Sequence, residues 1–343
     1  MAVIGHWDSL TEAQKLTQSQ LIPGVIEEDI YRNNILESLP AALALGKTIK
    51  WLRESKVIDG DVEDVDIGEK MSWTSSMTYS EQESTMKRSA VQRVLDNFIP
   101  DVYGTVNNYE AQMLFELKKG MMRKLGDKLI YNDITYGSAK QYDGLHALAA
   151  VQTGTDLDID NAELGLALHN VRKVLNAMKH GCDMILTPYE IGTRWDEAYE
   201  EAGFASLATA SAGTFSLITR AKSEGGSIQY AFAGVPIIRT DFLVAENQNV
   251  GDGSNLRAKY TANDKQYSVF FIKKGDIFAG NPGLCIGYGN PEMVSKFYKV
   301  EYFDKLEDYD AKGLRLVTYT VPLLGSKLCL GRIFDIEDVA ITA

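Results

Sequence analysis

Apolar side chains recur at spacings of three and four residues between positions 108 and 131, which is the strongest helical pattern in the chain. The stripe consists of Leu114, Leu117, Met121, Leu125 and Leu129. It predicts one long amphipathic helix, for which Asn107 and Asn108 are candidate N-caps. The positions between the apolar ones include Lys118, Lys119, Arg123, Lys124 and Lys128. We interpret this basic face as a solvated surface.

The stretch from residue 160 to residue 190 predicts a second helix, a strand and a third helix. The second helix is expected from about Asp160 or Asn161 to His180, with Gly181 as its stop. Its apolar stripe consists of Leu164, Leu168, Val171, Leu175 and Met178. Residues 182–186 then form a short apolar run, which predicts a buried strand. The Thr187–Pro188 step is suited to the N-cap and the first position of the third helix.

Beyond residue 210 the apolar pattern changes to a period of two, which is typical of strands. Eight segments bounded by Gly, Asn, Asp or Pro carry this pattern: 215–219, 228–233, 235–239, 267–272, 284–288, 297–303, 314–321 and 327–334. We expect a hairpin turn at the Lys312–Gly313 step. Helices in the middle of the chain and strands towards its end predict an α+β fold.

Three polar stretches near the N-terminus are expected to extend from the body of the protein. Residues 1–22 are rich in Gln and predict an arm, followed by a short helix between Pro23 and Pro40. Residues 56–69 carry closely spaced carboxylates that repel one another, so we expect a solvated, mobile segment. Residues 71–86 are rich in Ser and Thr, which favours a long extended excursion. Because such segments bury little against their own domain, contacts with other subunits best explain their ordering.

Composition excludes several classes of protein. A formal net charge of −12 argues against binding nucleic acid through bulk charge, and 45% hydrophobic residues exclude wholesale disorder. Cys182, Cys285 and Cys329 are too few and too widely spaced for a disulfide framework or a paired zinc ribbon, so we expect reduced thiols in the core. Neither a signal peptide nor an apolar run long enough for a membrane helix is present. We therefore expect synthesis in the cytoplasm and no membrane partner.

Two glycine-containing motifs resemble nucleotide-binding loops. Residues 41–48 match a loose phosphate-loop pattern, but the apolar residues 42–45 favour a helix or apolar packing, and no hydrophobic strand precedes them. The run GNPGLCIGYG at 280–289 lacks the spacing of a dinucleotide fingerprint, and no helical segment follows it. We interpret its glycines as bends between strands.

One acidic motif resembles the start of a calcium loop. Asp156, Asp158 and Asp160 alternate as its first ligands would. However, Asn161 stands where glycine is required, and Ala167 stands where a chelating glutamate is required. We interpret the segment as a polar turn that leads into a helix cap.

The residues that usually carry catalysis show no recognisable arrangement. The four histidines, His6, His146, His169 and His180, have no metal-ligand spacing. No serine lies in a nucleophile-elbow context and no cysteine has a catalytic signature. We therefore predict no catalytic, cofactor-binding or metal-binding residues, and a protein that is not an enzyme.

The order of several motifs resembles the major capsid protein of tailed bacteriophages, which has the Hong Kong 97 fold. The resemblance extends over about residues 23–336. The N-arm of that family is similar to PGVIEEDIYRNNILESLP at 23–40, and its extended loop corresponds in position to residues 51–100. Its spine helix is similar to residues 108–131, and the segment after that helix is similar to ITYGSAKQYDGLHALAA. A strand, a Gly-x-Pro turn and a second strand of the axial domain are similar to YAFAGVPIIRTDFL at 230–243. The return of the chain to the peripheral domain is similar to the segments DIFAGNPGLCIGYGN, KVEYF and GLRLVTYTVPLLGSKLCLGRI.

The resemblance implies a division of the chain into five parts. These are an N-terminal arm at 1–50, an extended loop region at 51–100, a peripheral domain with its spine helix at 101–150, an axial domain at 151–295 and the C-terminal strands of the peripheral domain at 296–343. The implied function is a capsid protein that forms hexamers and pentamers and closes into an icosahedral shell around double-stranded DNA. Its location would be the virion, after assembly in the host cytoplasm.

The resemblance also implies partners. A portal protein is expected in the particle, the presence of a decoration protein is left open, and DNA is enclosed without sequence-specific binding. Only about 22 residues precede Pro23, so we expect a separate scaffolding protein rather than a fused scaffolding segment. Some relatives crosslink lysine to asparagine, and Lys50, Lys56 and Lys70 are equal candidates, so no crosslink is assigned.

Two other hypotheses stay open at this point. An encapsulin-like compartment shell would share the same fold, and an α/β enzyme would carry an unrecognised site. Chromatography and electron microscopy of the expressed protein would separate the three.

Overall fold

The computed structural model describes residues 29–56, 62, 64–71, 78–98, 109–135, 138–208, 218–222, 228–248, 257–259, 266–289, 297–307 and 310–342. The α-helices within these ranges are α1 (Ile35–Ser38), α2 (Tyr109–Tyr131), α3 (Leu145–Ala150), α4 (Leu168–Ala177) and α5 (Tyr189–Ala208). The first strands are β1 (Ala41–Leu43), β2 (Thr48–Lys56), β3 (Thr78–Thr85), β4 (Lys87–Asp96), β5 (Asp158–Leu164) and β6 (Met184–Pro188). The next are β7 (Ile218–Lys222), β8 (Ile228–Phe232), β9 (Val235–Thr240), β10 (Glu246–Gln248) and β11 (Arg257–Lys259). The last are β12 (Gln266–Ile272), β13 (Leu284–Tyr288), β14 (Lys299–Phe303), β15 (Ala311–Leu324) and β16 (Leu330–Glu337).

A five-stranded sheet, which we call the outer sheet, carries the long helix α2. Its strand order is β1-β13-β15-β14, and β4 also pairs with β15. Met113 and Leu117 of α2 pack with Leu95 and Leu314, while Met121 and Leu125 pack with Leu316. The predicted long helix is confirmed. Four of its five apolar stripe positions are buried in the core as predicted, and the fifth, Leu114, is half-buried. Its candidate caps at 107 and 108 lie outside the described residues.

A nine-stranded sheet, which we call the central sheet, occupies the other half of the molecule. Its strand order is β11-β10-β12-β6-β9-β8-β7, with β16 pairing with both β12 and β5. Helices α4 and α5 pack on it through Val171, Val174 and Trp195, which join a core with Phe232 and Ile333. A second core joins the two sheets, because Leu129 and Leu145 pack there with residues of both, among them Phe270 and Ile286.

The eight strands predicted beyond residue 210 are confirmed in approximate position, although the described residues there contain ten strands. Each of the eight predicted segments overlaps a strand, from β7 to β9 and from β12 to β16. The turn between β8 and β9 is formed by residues 233 and 234, both with positive φ, whereas Val235 and Pro236 of the expected Gly-x-Pro turn lie in β9. Strands β10 and β11 were not predicted, nor were β1 to β5.

The hairpin turn predicted at Lys312–Gly313 is wrong. Both residues lie inside β15, where Lys312 pairs with Leu95 and Gly313 pairs with Val94 and with Phe303. Glycine is suited to this position in the strand because a Cβ at Gly313 would lie 3.2 Å from the Cβ of Phe303. The chain reverses instead between residues 303 and 311.

The predicted starts of the second and third helices are also wrong. Residues 158–164 form β5, and α4 begins only at Leu168. Ala162 and Glu163 have φ values of 52° and 59°, which a helix does not allow, and Leu164 is 65% exposed. The Thr187–Pro188 step ends strand β6 in parallel register with β9, so that α5 begins one residue later than expected.

Of the helix predicted between Pro23 and Pro40, the described residues contain only the short helix α1. Residues 23–28 of the predicted range lie outside the described residues. Residues 29–34 are not helical, because Asn33 has a φ of 54° and Asn34 caps α1 by accepting a hydrogen bond from the Leu36 amide at 3.1 Å.

The five-part division of the chain stays a prediction, and three segments pair across its boundaries. Strand β4, from the extended loop region, pairs with β15 over ten residues. Strand β13, from the axial segment, also pairs with β15. Strand β16, from the C-terminal segment, pairs in the central sheet.

Candidate assembly surfaces

Strands β2 and β3 form a separate two-stranded hairpin. The inner face of this hairpin contacts the body of the protein. Arg53 donates from Nε to the Gly325 carbonyl and from Nη2 to the Leu324 carbonyl, both at 2.6 Å. Trp51 Nε1 donates to the same Gly325 oxygen at 3.3 Å. The base of this extension is therefore ordered by contacts within its own chain, whereas the sequence suggested ordering by other subunits alone.

The outer face of the hairpin presents apolar and charged side chains to solvent. Leu52 is 69% exposed and Tyr79 is 54% exposed. On the same face, Lys50 forms ion pairs with Glu81 and, at 3.7 Å, with Glu83. Large apolar side chains held on a regular strand without a core beneath them are typical of a surface that a partner covers.

Residues 29–34 of the arm are held against the central sheet. Arg32 donates to Asp241 Oδ2 from its backbone amide at 2.8 Å and from Nε at 3.1 Å. Its guanidinium also lies 4.0 Å from the centroid of the Tyr189 ring. Asn33, in the left-handed region, then turns the chain towards α1. The arm thus has a fixed point of departure from the body.

The arm also contacts the long helix. Arg123 of α2 forms an ion pair with Asp29, and its hydrogen bond holds the pKa of this carboxyl below the ordinary value. The Arg123 guanidinium lies 4.3 Å from the centroid of the Tyr31 ring, which itself packs against Phe242. The basic face of α2 is therefore not only a solvated surface, because part of it binds the arm.

An ionic network is buried between the central sheet and the helices α2 and α3. Arg332 of β16 binds Asp158 of β5 through two hydrogen bonds of 2.7 and 3.0 Å, and both side chains are fully buried. Arg332 Nη1 also lies 3.1 Å from His146 Nδ1. A guanidinium carries N–H donors and no hydrogen-bond acceptor, so His146 Nδ1 accepts this hydrogen bond. We therefore assign the imidazole proton to Nε2.

The other side of His146 contacts Glu246. The two side chains are 3.0 Å apart, and the carboxylate also accepts hydrogen bonds from Tyr131 at 2.9 Å and from Ser268. Burial alone would raise the pKa of Glu246, but its interactions with His146, Ser268 and Tyr131 outweigh burial and lower it. Burial and the nearby carboxylate raise the pKa of Tyr131. The network connects the end of α2 to the central sheet.

A groove crosses the outer sheet beside the turn that joins β1 to β2. It contains a cavity of about 520 Å³ whose apolar lining includes Ala44, Leu45, Met86, Val317 and Tyr319. The charged residues around it are Lys47, Arg88, Lys299 and Glu301. A neighbouring cavity of about 280 Å³ shares Arg88, Glu301, Val317 and Tyr319 with the first. The two cavities therefore form one groove with mostly basic edges, which we call the basic groove.

The motifs considered in the sequence have structural roles here. Asp158 of the calcium-like motif binds Arg332, and the polar turn interpreted there is part of strand β5. The residues of the loose phosphate loop form strand β1, followed by a turn at Gly46 with a φ of 92°. Lys50 forms ion pairs on the hairpin, and Lys70 is exposed. The side chain of Lys56 and His6 lie outside the described residues.

The three cysteines are free. Cys285 and Cys329 are buried and Cys182 is half-buried, as expected for core thiols. Burial raises the pKa of Cys182 and of Cys329 to about 11, which keeps these two thiols protonated at neutral pH.

Sequence reasoning missed the residues that matter most to this junction. Any two of Arg332, His146 and Glu246 are at least 86 positions apart in the sequence. The residues adjacent to each of them form no motif that predicts a buried ionic contact. Within the described ranges, no group of three or more His, Cys, Asp or Glu side chains is arranged to hold a metal ion. No helix in that same part of the chain combines the length and apolar character needed to cross a membrane.

Comparisons with known proteins identify the fold. No family model matches the sequence, and no curated protein matches it significantly. The holo-SrpI encapsulin complex from Synechococcus elongatus PCC 7942 is similar with a TM-score of 0.62 at 11% identity, over 98% of this chain and 99% of that chain. A structure from Mycobacterium phage Bobi gives 0.55 at 14% identity, over 95% and 97% of the two chains. The capsid structure of the cyanophage P-SCSP1u gives 0.55 at 10% identity, over 91% and 90%. The predicted α+β fold of the Hong Kong 97 type is confirmed.

Proposed function

We propose that this chain, which has the Hong Kong 97 fold, is the major capsid protein of a tailed bacteriophage. It would self-assemble as hexamers and pentamers into an icosahedral shell that encloses double-stranded DNA. The observation that carries the proposal is the likeness to phage structures over nearly the whole chain, including the cyanophage capsid. A likeness confined to one domain would support the proposal much less, because the arm and the hairpin are the parts that reach neighbouring subunits.

The described surfaces are compatible with this function. The hairpin is fixed at its base by Arg53 but exposes Leu52 and Tyr79 along its outer face, so a neighbouring copy is the simplest cover for them. In a closed shell each such contact is repeated many times, and weak contacts then give high avidity. Both extensions leave the body from fixed points, which allows copies in slightly different environments to share one folded core.

The charge of the chain suits the enclosure of DNA. A net charge of −12 per subunit repels the phosphate backbone, so packaged DNA is confined without adhering to the wall. No sequence-specific contact is needed, and none is proposed. We assign the chain a structural role rather than a catalytic one.

The proposed location and partners follow from the same function. The subunit would reside in the virion after assembly in the host cytoplasm. A separate scaffolding protein would guide assembly, a portal protein would occupy one vertex, and a decoration protein would bind the outer surface.

A second candidate function is the shell of an encapsulin-like compartment. The specific observation that favours it is the TM-score of 0.62 with the encapsulin complex, over 98% of this chain. In both functions the chain forms a closed shell, and the contents distinguish them.

Expression of the chain, alone and with a candidate scaffolding protein, tests the proposal. Size-exclusion chromatography and electron microscopy should show closed particles, and nuclease-protected DNA inside particles from infected cells supports the capsid. Particles that hold a peptide-tagged enzyme instead of DNA support the encapsulin. A soluble monomer at high concentration, with or without scaffold, overturns both.

A further inference from the structure

We propose that His146 is an acid-sensitive latch between the short helix α3 and strand β16. A proton taken up at its Nδ1 ends the hydrogen bond with Arg332 and tilts the first turn of α3 away from the central sheet. The inference concerns the folded subunit alone, so it does not depend on the proposed shell function. It gives the buried ionic network a conformational role in addition to its structural one.

Both ring nitrogens of His146 are bound to the central sheet. Nδ1 accepts from Arg332 Nη1 on β16 at 3.1 Å, and Nε2 lies 3.0 Å from Glu246 Oε1 on β10. Tyr131 of α2 stacks on the ring with 5.3 Å between centroids, and Phe270 of β12 meets it edge-on at 4.8 Å. The imidazole side chain is only 2% exposed, so water does not replace a lost partner. The ring can keep both hydrogen bonds only in its neutral form.

The charges around the imidazole favour an additional proton. Arg332 and Asp158 compensate each other in their buried ion pair. The carboxylate of Glu246 is buried as well, and its other hydrogen bonds come from hydroxyl groups, which carry no charge. With His146 neutral, the buried side chains therefore carry one negative charge without a counter-ion. An imidazolium would supply that counter-ion and would strengthen the hydrogen bond to Glu246.

The geometry at Nδ1 opposes this proton. An N–H at Nδ1 would point at the Arg332 guanidinium, which is positively charged and offers only donors. Arg332 is not free to turn away, because Asp158 binds its Nε and Nη2 at 2.7 and 3.0 Å and its guanidinium lies 4.6 Å from the Phe334 ring centroid. The element that yields is therefore α3, which carries the imidazole.

Helix α3 is suited to a small movement. It has six residues, too few for a helix that is stable by itself, and Gly144 at its N-cap has no side chain to bind the free amides of the first turn. Beyond its other end, Gln152 Nε2 donates to the Lys327 carbonyl at 2.8 Å. Leu145 packs into the core that joins the two sheets. We therefore expect a tilt about the Gln152 end rather than detachment of the helix.

Hydrogen–deuterium exchange of the unassembled subunit tests the latch. The measurements are made at about pH 7.5 and about pH 5.5, on either side of the pH of about 6.5 at which an imidazole ordinarily takes up a proton. At the lower pH, exchange of residues 145–150, corrected for the intrinsic rate, should rise about tenfold, as expected for the loss of one hydrogen bond. The rise should reverse on return to the higher pH. No change in α3, or an equal rise throughout the chain, would overturn the proposal.

The variant His146→Gln separates the latch from a general effect of acid. A glutamine amide can accept from Arg332 through Oε1 and donate to Glu246 through Nε2, yet it takes up no proton in this range. Exchange in α3 of this variant should be the same at both pH values. The matched control is His169→Gln, which changes an exposed histidine of α4 and should respond to acid as the parent does. A rise in His146→Gln equal to that of the parent would contradict the role of the imidazole.

Nuclear magnetic resonance of the parent chain, labelled with ¹⁵N-histidine, gives a readout that requires no substitution at position 146. The signals of the other three histidines are assigned by replacing each with glutamine. The His146 ring should be neutral with its proton on Nε2 at about pH 7.5, and protonated on both nitrogens at about pH 5.5. A ring that stays neutral in the folded subunit at the lower pH, or that is already doubly protonated at the higher pH, overturns the latch. Every sample is an unassembled subunit, so none of these outcomes depends on whether the chain forms a shell.

Discussion

Arg332 and Asp158 form a fully buried ion pair with two parallel hydrogen bonds, of 2.7 and 3.0 Å, between strands that are 174 positions apart. The pair joins the C-terminal strand β16 to β5 in parallel register. Removal of either side chain would leave the other charge buried without a counter-ion, which destabilises the folded state.

Asp158→Asn should lower the free energy of unfolding of the unassembled subunit by about 3–5 kcal/mol, because it leaves the Arg332 charge buried without its counter-ion. Chemical denaturation followed by fluorescence measures the loss. Asp156→Asn is the matched control, since Asp156 is exposed two residues earlier and its change should have no more than about 0.5 kcal/mol effect. Equal effects from the two variants would show that the ion pair does not stabilise the fold.

Glu246 should make the stability of the subunit depend on pH in the acid range. Its folded pKa lies below the ordinary value of 4.5, so the ionised carboxylate stabilises the fold above that pH, and this contribution is lost as pH falls through the folded pKa. Glu246→Gln should therefore be less stable than the parent at neutral pH, with a difference that shrinks on acidification. Denaturation curves between about pH 3 and pH 7 measure it; a constant difference across that range would contradict the prediction.

Gly126→Ala should destabilise the subunit although alanine favours helices. A Cβ at Gly126 would lie 2.7 Å from Asn34 Oδ1 and 2.8 Å from Phe242 Cε1, and such overpacking costs about 1–3 kcal/mol. Gly120→Ala in the same helix is the control, because a Cβ at Gly120 would meet no atom within 4 Å beyond the neighbouring backbone of its own helix, and the substitution should stabilise by up to about 1 kcal/mol. Thermal unfolding of both variants measures the effects. Two shifts of the same sign would mean that the arm does not press on the helix at Gly126.

Arg53→Ala should loosen the hairpin without unfolding the body. The variant removes the hydrogen bonds to the carbonyls of Leu324 and Gly325 at the end of β15, each worth about 1–3 kcal/mol. Limited proteolysis of the unassembled subunit should then cleave within the extension faster, while its near-ultraviolet circular dichroism stays unchanged. Lys50→Ala, on the outer face, should leave the cleavage rate unaltered.

Leu52→Asp should leave the subunit folded and prevent particle formation. Leu52 is exposed in the isolated chain, so the change should alter its stability by no more than about 0.5 kcal/mol, but a buried charge at a contact with a second copy is unfavourable. Sedimentation and electron microscopy measure assembly, with Glu54→Gln on the same face as the control. Particles of normal yield from Leu52→Asp would exclude the outer face of the hairpin from the shell contacts.

The sequence predicts those parts of the fold that depend on local periodicity. The long helix α2 and eight of the ten strands after residue 210 belong to this group, because a stripe or an alternation places one face in a core whatever its partner is. The boundary errors arise where tertiary contacts override propensity. Asn161, for instance, donates to the carbonyls of Leu164 and Gly165 and holds a turn where a helix start was expected.

The candidate surfaces could be predicted only in outline. The polar composition of residues 51–100 predicts an extension, but the attachment of Arg53 to residues 324 and 325 depends on strands that meet only in the folded chain. The buried network is further from prediction, since His146 and Glu246 are 100 positions apart and each is unremarkable in its own segment.

The pairing of β4 with β15 sets the order in which the outer sheet can form during synthesis. The register joins Asp96 to Ala311, so among the described strands β4 has no partner until residue 311 and those after it have left the ribosome. Such non-local pairing gives a high contact order and slow closure of the outer sheet. The hairpin that precedes β4 therefore gains its attachment through Arg53 only once Leu324 and Gly325 have also been synthesised.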